Sequence, residues 1–97
     1  MPAYLIARVR VRDPAAYEEY KRLAAAAIEK FEGRYRARGG ATVTLEGDEE
    51  ESRVVIVEFP SLERAQAWYR SPEYQKAIAA RTGCAEGQFV LVEGLDS

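Results

Sequence analysis

Apolar and polar residues alternate along several short segments of the chain, as is typical of β-strands. Odd-numbered positions of segment 4–11 are all apolar, whereas the even-numbered ones mix apolar residues with arginine. Segments 53–59 and 86–93 are also strand-like, and 53–59 is the most apolar, so we expect it near the centre of a sheet. A further strand is predicted over 34–38, continuing through 42–45 after Gly39-Gly40. A glycine pair in a strand indicates a bulge or a close backbone approach.

Three segments between these strands show helical spacing. Asp13-Pro14 predicts a helix start, with Asp13 as N-cap and Pro14 in the first turn. The expected apolar stripe of this helix comprises Tyr17, Tyr20, Ala24, Ala27, Ile28 and Phe31. Ser61 is predicted to cap a second helix over 62–69, with a buried stripe of Leu62, Ala65, Trp68 and Tyr69. Ser71-Pro72 predicts a break and a third helix to about residue 82.

This element order predicts the fold class. A β-α-β-β-α-β order with an extra helical turn before the last strand indicates an α+β, ferredoxin-like antiparallel sheet with its helices on one face. We expect a single domain over residues 1–97. Both faces of the strands carry apolar residues, for example Ile6 beside Ala7. The face without helices therefore needs a cover, and a second copy of the same sheet predicts a homodimer.

Composition and net charge indicate which classes of binding partner to expect. With 47% hydrophobic and 31% charged residues the chain is not disordered, and its net charge of −2 offers no general attraction to nucleic acid or to an anionic membrane. Neither a signal peptide nor an apolar run of about 20 residues is recognisable, so a cytoplasmic protein is expected. Arginine exceeds lysine and asparagine is absent. This bias fits a thermophilic source, although a GC-rich genome gives a similar one.

Missing residue types exclude several chemistries. The chain has no histidine, which removes the usual haem ligand, the commonest general base near neutral pH, and histidine-ligated zinc or iron. Its single cysteine, Cys84, excludes an internal disulfide and an all-cysteine zinc site. We therefore expect neither a metal nor a cofactor.

The candidate residues for a polar pocket are Arg38, Glu58, Tyr69, Tyr74 and Arg81. Glu58 lies near the end of the apolar strand 53–59, so it is either paired with Arg38 or Arg81 as a structural brace, or unpaired and able to act as a general base. Alternation places Arg34, Arg36 and Arg38 on one strand face, where an anionic ligand or an ion-pair network is possible.

Several short motifs occur in an order that carries a family resemblance. They are Tyr4-Leu-Ile-Ala, Asp13-Pro14 with Tyr17, Arg38-Gly39-Gly40, Leu45-Glu46-Gly47, Val55-Ile-Val-Glu-Phe-Pro-Ser61 and Trp68-Tyr-Arg-Ser-Pro-Glu-Tyr74. Together they resemble the bacterial domain-of-unknown-function family 1330, within the dimeric α+β barrel superfamily. The resemblance implies a homodimer with facing sheets and a pocket between sheet and helices in each subunit. It implies no activity, because the family is uncharacterised.

Two functional interpretations remain open. In the first, the protein is a homodimer that binds a small anionic or aromatic molecule. In the second, it is a cofactor-independent enzyme, similar to the monooxygenases or isomerases of that superfamily. Glu58 is then the base, Arg38 or Arg81 holds an anion, and Tyr74 donates a hydrogen bond.

Overall fold

The computed structural model describes residues 1–96 and contains the predicted elements in the predicted order. They are β1 (Ala3–Val11), α1 (Pro14–Lys30), β2 (Arg34–Arg38), β3 (Arg53–Phe59), α2 (Leu62–Arg70), α3 (Pro72–Arg81) and β4 (Ala85–Glu93). The strands form one antiparallel sheet in the order β2-β3-β1-β4, so β3 is central as predicted. The α+β class is confirmed. Within the described chain, no helix has the length and apolar character needed to cross a bilayer.

Each helix begins at its predicted cap. Asp13 Oδ1 accepts a hydrogen bond from the Ala16 amide at 3.2 Å, and Ser61 Oγ accepts one from the Arg64 amide at 3.1 Å. Ser71 Oγ accepts from the Tyr74 amide at 3.1 Å and donates to the Trp68 carbonyl at 2.7 Å. Ser71 therefore ends α2 and starts α3, which satisfies a buried hydroxyl twice.

The core lies between the helices and one face of the sheet, here called the helix face. Leu5, Ala7 and Val9 of β1 are buried on it, as are Val57 and Phe59 of β3. Trp68 and Tyr74 lie beneath the helices with their ring centroids 4.1 Å apart. The prediction that Tyr69 is also buried is wrong, since Tyr69 is 44% exposed. The next position along a helix is rotated by about 100°, so Trp68 fills the core and Tyr69 leaves it.

The other side of the sheet, here called the open face, is covered by no helix of residues 1–96, and residues 48–52 lie against only one end of it. It carries the even-numbered residues of β1, β3 and β4, from Tyr4 and Val54 to Val92. Ile6, Val90 and Val92 are 37%, 45% and 46% exposed. Contiguous exposed apolar surface of this kind is typical of an interaction site.

Strand β2 is shorter than predicted. Its last ladder bond runs from the Gly39 amide to the Val54 carbonyl at 2.8 Å, and residues 40–52 contain no strand. Gly39 has φ +73°, a left-handed conformation that turns the chain out of the sheet. The predicted continuation through 42–45 is therefore wrong.

A bulge changes which side of the sheet Arg38 faces. Tyr35 pairs with Val57 and Ala37 with Ile56, so the register shifts across Arg36. As a result Arg38 lies opposite Val55 on the helix face, whereas Arg36 stays on the open face. The expectation that the three β2 arginines share one face is wrong, because the extra residue reverses the alternation after it.

Candidate functional site

A cavity of about 30 Å³ lies between α1 and the helix face of the sheet. Tyr17 and Tyr20 line it from α1, while Leu5, Val55 and Phe89 line it from the sheet. Trp68 lines it as well. A space of this size holds about one or two water molecules.

An open groove of about 440 Å³ adjoins this cavity on the outside. Lys21, Arg38 and Arg53 line both spaces, so three cationic side chains stand where the groove meets the cavity. We call these three residues the cationic mouth. No aspartate or glutamate lines the inner cavity. The only carboxylate of the outer groove is Glu18, whose Oε1 is 2.8 Å from Lys21 Nζ.

Local structure explains how the two arginines reach the mouth. The β2 bulge turns Arg38 inward, as described above. Arg53 opens β3 and alternates with Val55 and Val57, which places it on the helix face opposite Val9. Its guanidinium lies against Gly39, at a point where a Cβ atom on that residue would collide with it. Gly39 is therefore favoured for its positive φ, while a larger residue there would also displace the end of the Arg53 side chain.

The mouth arginines lack acidic partners. The Arg38 guanidinium carbon lies 4.2 Å from the centroid of the Tyr35 ring, a cation–π contact. Arg53 Nε is buried and has no hydrogen-bond partner among residues 1–96. Neither arginine forms a salt bridge within this part of the chain. Buried donors without a partner are rare, so Arg53 is equipped to receive an anion, with the exposed Arg38 beside it at the mouth.

Two tyrosines form a polar contact behind the cavity wall. The Tyr20 and Tyr74 hydroxyl oxygens are 2.8 Å apart, and both side chains are buried. Burial raises the pKa of Tyr20 and that of Tyr74, and it also raises the pKa of Tyr17. These hydroxyls therefore stay protonated near neutral pH and are hydrogen-bond donors rather than bases.

Arg81 packs behind the same wall. Its guanidinium carbon lies 5.2 Å from the Tyr20 ring centroid and 4.4 Å from that of Phe89. Its NH1 nitrogen is buried without a partner among the described residues. Arg81 adds positive charge next to the cavity without lining it.

The structure therefore brings together only some of the predicted site residues. Arg38 is at the mouth, and Tyr74 and Arg81 lie next to each other behind the wall. Tyr69 lines a separate groove of about 360 Å³ beside α2, which shares Trp68 with the cavity. Glu58 is on the open face, where its Oε1 accepts a hydrogen bond from Arg36 Nε at 3.0 Å.

Sequence reasoning did not select Lys21, Arg53 or Tyr17. A signal for Arg53 was present, since it precedes Val55, Val57 and Phe59 at two-residue spacing, and such spacing places residues on one sheet face. For Tyr17 the helical stripe correctly predicted burial, but it did not show that the buried ring borders a cavity. Nothing in the sequence distinguishes Lys21 from the other cations of α1.

A four-stranded antiparallel sheet covered by helices on one face, with a cavity beneath α1, defines a ferredoxin-like α+β protein. Residues 2–95 match the family described as domain of unknown function DUF1330. The chain belongs to this family. Among proteins with a curated description, none matches the chain significantly.

Solved structures share the fold over nearly the whole chain. A protein of unknown function from Rhodopseudomonas palustris, RPA0582, is 24% identical with a TM-score of 0.77, covering 99% of this chain and 84% of that one. SnoaB from Streptomyces nogalater, a cofactor-independent oxygenase, is 18% identical with a TM-score of 0.70, covering 99% and 95%. A dimeric protein of unknown function with a ferredoxin-like fold, from Bacteroides fragilis, is 17% identical with a TM-score of 0.62, covering 96% of both chains.

Proposed function

We propose that the protein is a homodimer that binds a small anionic molecule, preferably an aromatic one, at the cationic mouth. The observation that carries this proposal is a set of three cations around a cavity that no carboxylate lines. Leaving the buried Arg53 Nε without a partner is costly, and an anionic ligand supplies the missing acceptor.

The sizes of the two spaces constrain how such a ligand sits. Because the inner cavity has only about 30 Å³, the bulk of the ligand lies in the outer groove of about 440 Å³. Its anionic group points inward to Arg38 and Arg53, where guanidinium forks suit a carboxylate. The Tyr35 ring, already stacked under Arg38, supplies an aromatic surface beside it.

The remaining candidate residues take supporting places in this proposal. Tyr74 and Arg81 hold Tyr20, which forms part of the cavity wall. Tyr69 contacts a ligand only if that ligand extends past Trp68 into the groove beside α2.

Dimerisation is proposed from the open face. Ile6, Val90 and Val92 expose apolar surface that a second sheet would bury, and several similar structures are described as dimeric. Light scattering coupled to size-exclusion chromatography tests this state. A mass near twice 10.9 kDa is expected, whereas a single-chain mass at every concentration argues against the dimer.

Three probe molecules separate the contributions of charge and ring. Benzoate is an aromatic anion, cyclohexanecarboxylate is an anion without an aromatic ring, and benzamide is aromatic but neutral. By titration calorimetry we expect benzoate to bind most tightly and benzamide most weakly. Equal affinities for benzoate and benzamide would show that the arginines do not recognise charge.

Two arginine variants provide the matched comparison. Arg38→Gln removes a mouth cation, and we expect benzoate affinity to fall by about 1.5–3 kcal/mol, the typical contribution of a charged hydrogen bond. Arg70→Gln removes the same charge from the exposed end of α2 and should leave the affinity unchanged. A loss of the same size in both variants would indicate a general charge effect instead of a site.

An enzymatic alternative is favoured by the structural similarity to SnoaB, a cofactor-independent oxygenase. In this proposal Glu58 is the base, and the substrate lies on the open face, because the Glu58 carboxylate is located there beside Arg36. Oxygen uptake in the presence of hydroxylated naphthoic acids tests it. Uptake by the wild type that Glu58→Gln abolishes supports a base, whereas equal uptake by both proteins excludes this role.

A further inference from the structure

The segment that leaves the sheet after β2 has the composition of a strand but no strand partner. Residues 40–46, here called the arm, read Gly-Ala-Thr-Val-Thr-Leu-Glu and are rich in residues that favour β-structure. None of their backbone groups hydrogen-bonds to another backbone group in residues 1–96. All seven residues are exposed, with Val43 at 82% and Leu45 at 87%. The arm therefore has both unpaired backbone groups and uncovered apolar side chains.

The arm leads into a turn that lies beside the open face. The acidic turn that follows it lies against the even-numbered side of β1, where Glu50 Oε1 accepts a hydrogen bond from Arg8 Nε at 2.6 Å. Residues 48–52 also border a groove with Arg10 and Gln88. The arm is thus attached on the side of the sheet where the second copy is proposed to dock.

The sheet has two free edges, and they differ in how well they accept another strand. The β2 edge has five residues, a bulge and three arginines, features that discourage strand addition. The β4 edge has nine residues, and its stretch 87–92 contains neither a charge nor a proline. The β4 edge is the one suited to pair with an added strand.

We propose that in the homodimer the arm of each copy adds as a fifth strand to the β4 edge of the other copy. The inference rests on the proposed dimer and extends it. Facing sheets pack about 10 Å apart, while seven extended residues span about 23 Å, so the arm can cross the gap and still run along a strand. Alternation places Val43 and Leu45 on one side of the arm. In the proposed dimer this side faces the apolar residues of the open face of the other copy. A two-fold axis makes the exchange reciprocal.

Amide hydrogen exchange tests the pairing directly. In an isolated chain the amides of residues 42–45 have no backbone partner and should exchange at rates of unstructured peptide. If the arm pairs with β4, we expect at least about 100-fold protection of alternate amides at concentrations where the protein is dimeric. Unprotected arm amides in a dimeric sample would overturn the inference.

Disulfide trapping identifies the edge that receives the arm. A tagged Val43→Cys copy is mixed with an untagged Val90→Cys copy, both carrying Cys84→Ser. The mixture is then oxidised. A linked heterodimer is expected. The matched mixture uses Arg36→Cys, on the β2 edge, in place of Val90→Cys. Linkage to position 36, or to neither position, overturns the proposed arrangement.

Failure of the arm proposal is distinguishable from failure of the proposed function. A dimer by light scattering whose arm amides exchange freely retains the dimer and rejects the arm. A single-chain mass at all concentrations rejects both. Benzoate affinity reports on the cationic mouth and does not depend on either result.

Discussion

Replacing Arg53 by methionine should make the protein more stable while it removes anion binding. Arg53 Nε is buried without a partner, and the residue shares the mouth with two further cations, Lys21 and Arg38. Methionine has a similar length and no polar group, so it can fill the same space. If Arg53 is present in order to bind a ligand, the ligand-free folded protein is destabilised by its unpaired buried donor. The substitution removes this cost and so raises the free energy of unfolding.

The expected gain follows from the cost of an unmade hydrogen bond. Leaving a buried donor unsatisfied costs about 1–3 kcal/mol, and we take about 1 kcal/mol because the rest of the guanidinium reaches the groove. With a urea dependence of about 1–3 kcal/mol per molar for a small protein, this gain raises the midpoint by about 0.3–1 M.

Urea unfolding measures this change with an internal probe. Trp68 is the only tryptophan and is 1% exposed, so its fluorescence reports loss of the core. Protein concentration must be the same for all variants, since dimerisation contributes to stability. Arg70→Met, on the exposed end of α2, is the control and should change stability by less than about 0.5 kcal/mol.

Two results would refute this reasoning. A loss of about 1 kcal/mol or more in Arg53→Met would show that the guanidinium makes favourable contacts in the folded chain and serves as a structural arginine. Undiminished benzoate binding in the variant would show that Arg53 is not part of the anion site. The expected combination is a higher urea midpoint with weaker binding.

Other parts of the fold make further predictions. Tyr74→Phe removes the hydrogen bond to Tyr20 and should lower the free energy of unfolding in urea by about 1–3 kcal/mol. If the Tyr20→Phe/Tyr74→Phe double variant loses the sum of the two single losses, the hydroxyls do not interact. Burial raises the pKa of Tyr17, Tyr20 and Tyr74, so the unfolded chain loses these protons at a lower pH than the folded one. The contribution of these groups to stability should therefore be full below about pH 10 and decrease above it. A melting temperature that stays constant from pH 9 to 11.5 would contradict this. Gly33→Ala places a Cβ 2.7 Å from Ile28 Cγ2 and 2.9 Å from Phe59 Cε1, and this overpacking should cost about 1–3 kcal/mol in urea unfolding, whereas Gly40→Ala meets nothing within 4 Å and should cost little.

Much of the scaffold could be predicted because its signals are local. The caps at Asp13, Ser61 and Ser71 depend on a side chain and an amide two or three residues away, so they are legible in the sequence and are all present. The buried stripe of α1 is also present, except that Phe31 lies just beyond the helix and is only partly buried, and so is the alternation in β1; both depend only on helical and strand periods.

The candidate site was predicted less well, because its geometry depends on pairing between strands. Arg38 does line the cavity, but it was assigned to a face with Arg34 and Arg36, and the bulge at Arg36 separates them. Glu58 was expected near Arg38 or Arg81 and instead pairs with Arg36 on the open face. A bulge reverses every later side chain, and nothing local to β2 marks where it occurs.

The sequence by itself determined the element order, the helix starts and the face of α1 that enters the core. Only the tertiary structure decided that β2 ends at Arg38, that Arg38 and Arg53 meet Lys21 at one mouth, and that Glu58 lies on the other side of the sheet. The physical reason is the range of the interactions. Caps and periodicity act within a few residues, whereas strand register and cavity shape are set by contacts between residues that are distant in the chain.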